Sequence, residues 1–262
     1  MSQHRHEPVV AFDHNSQEHS ADPVASYRAL REECPVAWTE AHGGYWVVSG
    51  YDGVFEAARD DDVFSSARNS YGGDGLTVVI PKTPMHLHVP IEIDPPEFRG
   101  YRKLVNVITA PKAIDRMREL ISQYTTWFID EVIESGDCDL AKVIGVPSIV
   151  TVDWLGLPVR DWHRYARLHH ATLAAVPGSA EYVQAITVDL PFCSRQMREI
   201  IAARRAQQQE DVISYLVSQE VDGRPIENDE VFSMVELLLA GGVGTTASLV
   251  SQTLVWLYQP RT

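Results

Sequence analysis

Apolar residues recur along most of the chain at the three- and four-residue spacing of amphipathic α-helices. Residues 114–135 show this best, with one stripe formed by Met117, Leu120, Ile121, Tyr124, Phe128 and Val132. The same spacing predicts further helices near residues 161–175, 181–208, 210–220 and 228–258. The chain is therefore predicted to be mainly α-helical.

Strand patterns are confined to the first part of the chain. Residues 36–41 and 45–50 flank His42-Gly43-Gly44, which predicts a β-hairpin around a glycine turn. Asp22-Pro23 before the hairpin predicts a capped helix over residues 22–34, and residues 51–61 predict a short helix. Residues 65–93 contain prolines and glycines without helical spacing and predict a long loop. Residues 1–20 are predicted to be a flexible polar tail.

Composition and charge narrow the classes of function. The 262 residues are 45% hydrophobic and 22% charged, which is typical of a globular protein with a sizeable core. A net charge of −14 argues against nucleic acid or an anionic membrane as the main partner. The three scattered cysteines do not suggest a disulfide framework or a zinc cluster, and the first twenty residues lack the apolar core of a signal peptide. A cytoplasmic location is expected.

The longest uncharged run, residues 237–258, has the length of a membrane span but contains several serines, threonines and a glutamine. It is predicted to be a buried core helix. Within it, Gly241, Gly242 and Gly244 interrupt the apolar pattern, although each glycine in a helix costs about 1 kcal/mol relative to alanine. The glycines indicate either tight helix–helix packing or a flat group lying against bare backbone. Both interpretations stay open.

Two nucleotide-binding interpretations of the same glycines are weak. Residues 242–247 match the letters G-x-G-x-x-A of a dinucleotide fingerprint, but no acidic residue follows to bind a ribose. No lysine follows the glycines either, so the phosphate-binding loop of nucleotide hydrolases does not match.

Residues 91–106 contain Asp94 followed by Glu97, a capping-box arrangement, with Pro95 at the first helical position. The helix that this predicts places Arg99, Arg102 and Lys103 on one face. These cations suit either surface salt bridges or the carboxylate of a bound cofactor.

Together these stretches resemble the heme-thiolate monooxygenases, the cytochrome P-450 family, and in particular its soluble bacterial members. "IDPPEFRGYRKLVN" resembles the family's helix C, "DDVFSSARN" the segment after its helix B, and "EVDGRPIENDEVFSMVELLLAGGVGTT" the region that leads into its helix I. The resemblance extends from about residue 20 to the end of the chain. It implies a mainly α fold with a small early β-sheet, in which residues 21–262 form the N-terminal portion of one domain that ends after helix I.

The resemblance also implies a cofactor and site residues. Heme b (iron protoporphyrin IX) is expected, with Arg102 bound to a propionate, and Phe98 stands where many members have a polar residue. Gly241 and Gly242 would leave room for the heme, and Thr245 would supply the hydroxyl used in oxygen activation. Gly244 stands where most members have an acid, so proton delivery is expected to be slow. The expected substrate-pocket residues are Met85, His86, His88 and Val243.

The family's cysteine loop, which holds the heme iron, has no match in this chain, so no metal ligand is assigned. The resemblance therefore implies a truncated fragment that is inactive alone. The complete enzyme would insert one oxygen atom from O2 into a small hydrophobic substrate, with electrons from a ferredoxin or reductase and without a nucleic-acid or membrane partner. The alternative is a non-catalytic helical interaction module that needs another chain to complete its core. The histidine pairs His86/His88 and His169/His170 lack the neighbours that would complete a metal site.

Overall fold

The computed structural model describes residues 8–68, 77–82, 86–138, 145–175 and 178–258. Contacts divide the chain into two compact units. The first comprises Met1–His86 with Ile91–Pro95, and the second comprises Leu87–Pro90 with Pro96–Thr262. This division differs from the single domain predicted over residues 21–262.

The described part of the first unit contains three α-helices, a 3₁₀ turn at Ala41–Gly43 and a two-stranded antiparallel sheet. Its elements are α1 (Gln17–Ala21), α2 (Pro23–Glu33), β1 (Val36–Thr39), β2 (Tyr45–Val48) and α3 (Tyr51–Ala57). The Asp22 carboxylate accepts a hydrogen bond from the Ala25 amide at the start of α2, which confirms the predicted cap. Trp38 pairs with Trp46 across the strands, which confirms the hairpin. His42, Gly43 and Gly44 all have positive φ, at 54°, 91° and 93°.

The N-terminal segment packs against this hairpin. The Val10 amide donates to the carbonyl of Trp38 over 2.8 Å, and the Thr39 hydroxyl donates to the carbonyl of Phe12 over 2.6 Å. The side chain of Phe12 is buried, and Ser16 caps α1. The prediction of a flexible polar tail is therefore wrong for residues 8–20, because main-chain pairing and one aromatic side chain fix the segment.

The described parts of residues 65–93 contain no helix or strand, as predicted. Their order depends on side chains. Glu92 is buried, and its carboxylate accepts hydrogen bonds from Arg68 Nη2 at 2.6 Å and from the Thr77 amide at 2.8 Å.

The described part of the second unit is helical apart from one short hairpin. Its elements are α4 (Glu97–Ile108), α5 (Pro111–Asp115), α6 (Arg118–Ile133), α7 (Val146–Leu155), α8 (Trp162–Ala174), α9 (Ala180–Gln184), α10 (Leu190–Ala206), α11 (Val212–Val217), β3 (Glu220–Val221), β4 (Arg224–Pro225) and α12 (Asn228–Tyr258). Helix α12 contacts α7, α8, α10 and α11. The core between these helices includes Leu155, Tyr165, Met197, Ile213 and Leu239.

The helix predicted over residues 181–208 is interrupted by a π-helical turn at Ala185–Asp189. This turn ends at Asp189, whose side chain is completely buried. Arg167 donates to both carboxylate oxygens of Asp189, from Nε over 2.6 Å and from Nη2 over 2.8 Å. The distortion thus coincides with a buried carboxylate that is held by a two-pronged ion pair.

Helix α12 is buried over its first half and exposed over its second half. Residues 231–236, Leu239 and Val243 are buried, whereas Leu249 is 66% exposed and Tyr258 93% exposed. The prediction of a buried core helix is therefore wrong beyond residue 247, because few described residues cover this part. By length and composition alone α12 could cross a membrane, but a third of its most apolar window (33%) is buried within the protein. Such burial is also found in core helices of globular proteins.

Candidate functional site

The glycine-rich centre of α12 lies inside one continuous helix, so no strand precedes it and the dinucleotide fingerprint does not apply. A carboxylate in the first turn of the helix binds the main-chain amide of the residue just before the helix. Glu230 Oε2 accepts a hydrogen bond from the Glu227 amide over 2.7 Å, which is half of a capping box. An apolar run then carries the helix through the three glycines.

The glycines at 241 and 242 have different surroundings. A Cβ at Gly242 would lie 2.4 Å from Thr151 Oγ1 and 2.7 Å from Thr151 Cγ2 on α7. A Cβ at Gly241 would meet no atom within 4 Å. Tight helix–helix packing is therefore confirmed at Gly242, whereas Gly241 presents bare backbone to open space. The predicted place of Gly242 beside a heme stays a prediction.

Thr245 lies on the open face with Gly241, one helical turn away. Its hydroxyl donates a hydrogen bond to the Gly241 carbonyl, a local bond that threonine often makes within a helix. The side chain of Thr245 is exposed. Val243, in contrast, is completely buried and its side chain faces the core, so its predicted contact with substrate stays a prediction.

Helix α4 is fixed along one side. A Cβ at Gly100 would lie 2.9 Å from Val221 Cγ1, which shows how closely α4 approaches the β3–β4 hairpin. The Tyr101 hydroxyl donates to Glu230 at the start of α12, and Arg224 Nη2 donates to Glu230 Oε1 over 2.6 Å. This network ties α4 to the first turn of α12. Partial burial raises the pKa of Glu230, but the hydrogen bonds from Arg224, the Glu227 amide and Tyr101 outweigh it and lower the pKa to about 2.

The opposite side of α4 carries three exposed cations, Arg99, Arg102 and Lys103. Within the part of the chain that the structure describes, none of them forms an ion pair. The salt-bridge interpretation is therefore wrong for these side chains, and Arg102 remains available to a carboxylate. Phe98, one turn earlier, is half-buried.

The predicted capping box before α4 is also wrong. The helix begins at Glu97, and its preceding residue, Pro96, provides no side-chain cap. The carboxylate of Asp94 instead accepts hydrogen bonds from the Ser65 hydroxyl and, over 2.9 Å, from the Ser66 amide. Two serines that are distant in the sequence therefore donate to the carboxylate that the local pattern had assigned to the helix cap.

A buried polar cluster lies beside the first half of α12. The Ser233 hydroxyl accepts from the Val89 amide over 2.7 Å and donates to the Leu87 carbonyl over 2.5 Å. His88 Nε2 lies 3.6 Å from Glu236 Oε2, and both side chains are buried. His88 is therefore fixed in the interior, and its predicted place in a substrate pocket stays a prediction. His86 is exposed, and Met85 lies outside the described residues.

His169 on α8 is also buried, and the charges of Glu236 and His88 influence its pKa. The sequence analysis named His169 only as part of the pair His169/His170 and did not predict these neighbours. Burial lowers its pKa, the Glu236 charge opposes this and the neighbouring histidines add to it, with a result of about 4. The available signal was Glu236, an acidic residue within an otherwise apolar helical run. Nine residues separate Glu236 from Thr245, which places them on opposite faces of α12 and about 13 Å apart along its axis. Glu236 therefore does not replace the acid that is missing at Gly244.

The three cysteines have different surroundings, and the expectation that none of them binds the heme iron stays a prediction. Burial is the main reason that the pKa of Cys193 on α10 rises to about 12, so this thiol is protonated. The Cys34 thiol donates to the Val36 carbonyl within the first unit, and Cys138 is exposed beyond the end of α6. Gly241, Thr245 and Arg102 are the described residues that suit one face and one propionate of a heme.

Comparisons with known proteins identify the family. No family model matches the chain. The chain is 32% identical over 237 residues to the steroid C26-monooxygenase of Mycobacterium tuberculosis, covering 88% of this chain and 56% of that protein. It is 32% identical over 228 residues to the erythromycin C-12 hydroxylase of Saccharopolyspora erythraea, covering 84% and 54%. Its fold matches substrate-free CYP109E1 of Bacillus megaterium with a TM-score of 0.73 at 26% identity. The chain belongs to the cytochrome P450 family.

The match to CYP109E1 covers 90% of this chain and 61% of that structure. The chain thus spans between half and two thirds of the length of the cytochrome P450 proteins that it matches, and it has their mainly helical fold with a small antiparallel sheet. The comparisons do not test individual residues, so the roles of Arg102, Phe98, Gly241, Gly244 and Thr245 stay predictions.

Proposed function

We propose that this chain provides the oxygen-facing wall of a heme monooxygenase site. The observation that carries the proposal is the open face of α12, where bare backbone at Gly241 and the exposed Thr245 hydroxyl lie one turn apart. A planar group can approach Gly241 without meeting a side chain. The Thr245 hydroxyl can exchange its bond to the Gly241 carbonyl for a bond to a polar group on that face.

Arg102 would hold one propionate of heme b. Its guanidinium is exposed, makes no ion pair with described residues and stands on a helix that the Tyr101–Glu230–Arg224 network fixes. A guanidinium binds a carboxylate through two parallel hydrogen bonds. When bound, heme supplies the redox chemistry that activates O2.

Proton delivery is the weak step in this proposal. Gly244 has no side chain to carry a proton, and Glu236 lies on the other face of the helix. Thr245 would therefore act with water alone. In a form extended to the length of its relatives, Gly244→Asp should increase the product formed per reducing equivalent. An unchanged yield would contradict the assigned role of position 244.

The substrate and partners follow from the same proposal. We infer a small hydrophobic substrate, O2 and electrons from a ferredoxin or a reductase, in the cytoplasm and without nucleic acid or membrane. His86 and Met85 remain proposed pocket residues, whereas His88 would act from the interior through its contact with Glu236.

Heme titration tests the proposal on the 262-residue chain. Without an axial cysteine, we expect weak binding, no thiolate-type red-shifted Soret band in the reduced carbonyl complex, and no substrate oxidation. Arg102→Leu should weaken heme binding about tenfold or more, because a charge-assisted hydrogen bond contributes about 1.5–3 kcal/mol. Lys103→Leu, an exposed cation beside it, is the matched control. Equal affinities of the two variants would refute the role of Arg102.

One observation favours a second candidate, a helical module completed by another chain. Beyond residue 247, α12 exposes apolar side chains beside a groove of about 400 Å³. Its lining includes Phe128 and Val132 of α6, Pro147 of α7, and Val250 and Leu254 of α12. Sedimentation velocity distinguishes the two candidates: a concentration-dependent dimer that Leu254→Asp abolishes supports the module, whereas a monomer that binds heme through Arg102 supports the monooxygenase.

A further inference from the structure

Three metal-ligating side chains meet in the first unit, whereas the residues of the proposed heme wall belong to the second unit. Asp13 and His14 lie in the N-terminal segment, and His42 lies in the hairpin turn. One ligand atom from each lies within 4.8 Å of the others. His42 Nε2 is 2.8 Å from Asp13 Oδ1, and the two imidazole rings have centroids 5.3 Å apart. The sequence separates His42 from the other two by almost thirty positions, so spacing alone did not reveal the cluster.

The hydrogen bonds of His14 determine which ring nitrogen carries the proton and which has the lone pair that a metal ion needs. Nε2 lies 2.7 Å from the Ile80 carbonyl oxygen, which only accepts, so Nε2 carries the proton. Nδ1 is then the lone-pair nitrogen, and it accepts from the Tyr45 hydroxyl over 2.8 Å. A ring nitrogen that donates to a backbone carbonyl while the other faces the metal is the usual arrangement of histidine ligands.

In the His42–Asp13 pair, a proton lies between an imidazole nitrogen and a carboxylate oxygen. Each atom is a ligand type that zinc prefers, and the shared proton lies where a cation would bridge them. Asp13 is held in place because its Oδ1 also accepts from the Asn15 amide over 2.8 Å. The hydrogen bonds from the Asn15 amide and His42 lower the pKa of Asp13, so its carboxylate is ionised at neutral pH.

The turn conformation fixes His42 in this position. Its φ of 54° is in the left-handed region, which non-glycine residues rarely adopt and which often marks functional sites. The following glycines also have positive φ, so the turn presents the imidazole toward the N-terminal segment.

We propose that Asp13, His14 and His42 bind a divalent transition-metal ion of the zinc class, with solvent completing the coordination. Two imidazoles and one carboxylate suit zinc, nickel or copper better than magnesium or calcium. Ligand atoms in a tetrahedral zinc site lie about 3.3 Å apart, so contraction by about 1.5 Å or less closes the site. The net charge of −14 favours cation binding in general and does not by itself select these residues.

Isothermal titration of the 262-residue chain with zinc tests the proposal. Every protein in the titration carries His4→Gln and His6→Gln, because imidazole is a zinc ligand and these two histidines lie outside the described part of the chain. We expect one zinc ion per chain, with tetrahedral Co²⁺ absorption when cobalt replaces zinc. His42→Asn, which tolerates the left-handed turn, and Asp13→Asn should each weaken binding at least as much as the roughly 10–100-fold loss known for outer-shell partners.

Two further variants separate a built site from adventitious binding. Tyr45→Phe frees Nδ1 of His14 and should strengthen zinc binding about 2–10-fold, the equivalent of one neutral hydrogen bond. His19→Gln, a nearby histidine that contacts Ser26 instead of the cluster, should leave affinity unchanged. Unchanged binding in both His42→Asn and Asp13→Asn overturns the proposal, as does a loss in His19→Gln that equals theirs. Far-UV circular dichroism of each variant confirms that the fold is retained.

Discussion

Alanine at Gly241 and at Gly242 should have opposite effects on stability. Both glycines lie within α12, so each substitution gains the same helix propensity, about 1 kcal/mol. The surroundings differ, because the new methyl at 241 meets nothing within 4 Å, whereas the methyl at 242 meets Thr151. The pair therefore isolates the cost of the close approach between α12 and α7.

The contact at Gly242 sets the magnitude. A Cβ 2.4 Å from Thr151 Oγ1 and 2.7 Å from Cγ2 is far inside van der Waals distance. Rotation of Thr151 would break its hydrogen bond to the Pro147 carbonyl and would still leave Thr151 Cβ at 3.1 Å. Overpacking of this kind costs about 1–3 kcal/mol. Gly241→Ala should therefore raise the free energy of unfolding by up to about 1 kcal/mol, and Gly242→Ala should fall about 1–3 kcal/mol below it.

Urea unfolding followed by far-UV circular dichroism measures both variants. A double-mutant cycle with Thr151→Ala assigns the loss to the named contact, since removal of Oγ1 and Cγ2 should recover a coupling energy of about 0.5–3 kcal/mol. If Gly241→Ala and Gly242→Ala have equal stabilities, or if Thr151→Ala recovers nothing, the assignment of Gly242 to helix packing and Gly241 to an open surface is refuted.

Two predictions concern pH. The pKa of Glu230 in the folded protein is about 2, below the ordinary 4.5. Its ion pair therefore stabilises the fold above pH 4.5, and this contribution disappears as the pH falls toward 2. In urea unfolding, Glu230→Gln should lower the free energy of unfolding by up to about 1 kcal/mol at pH 7 and leave it unchanged near pH 2. The pKa of His169 is lowered from 6.5 to about 4, so as the pH falls the unfolded chain binds the proton before the folded protein does. The free energy of unfolding should therefore fall on the order of 3 kcal/mol between pH 6.5 and 4. His169→Gln should remove this pH dependence. An unchanged slope in His169→Gln, or a pH-independent effect of Glu230→Gln, contradicts the corresponding assignment.

Features that depend on neighbouring residues could be predicted from the sequence. The Asp22-Pro23 start of α2, the hairpin at His42-Gly43-Gly44 and the extent of α12 each follow from a local preference that nothing distant opposes. The predicted apolar stripe of α6 is half-buried along its length, except that Ile121 is 37% exposed. In these places the residues that choose the structure are the residues that form it.

Features that depend on distant partners could not be predicted. Asp94 carries a correct capping signal, yet two serines almost thirty positions away bind its carboxylate. Gly242 and Gly241 have the same letter in the same helix, and only Thr151, some ninety residues earlier, makes one a packing residue and leaves the other open. The family resemblance correctly identified the helix, but it treated both glycines as one surface. The side of α12 that its neighbours leave uncovered contains Gly241 and Thr245, whereas Gly242 packs against Thr151 and Val243 is buried, and only the structure separates these residues.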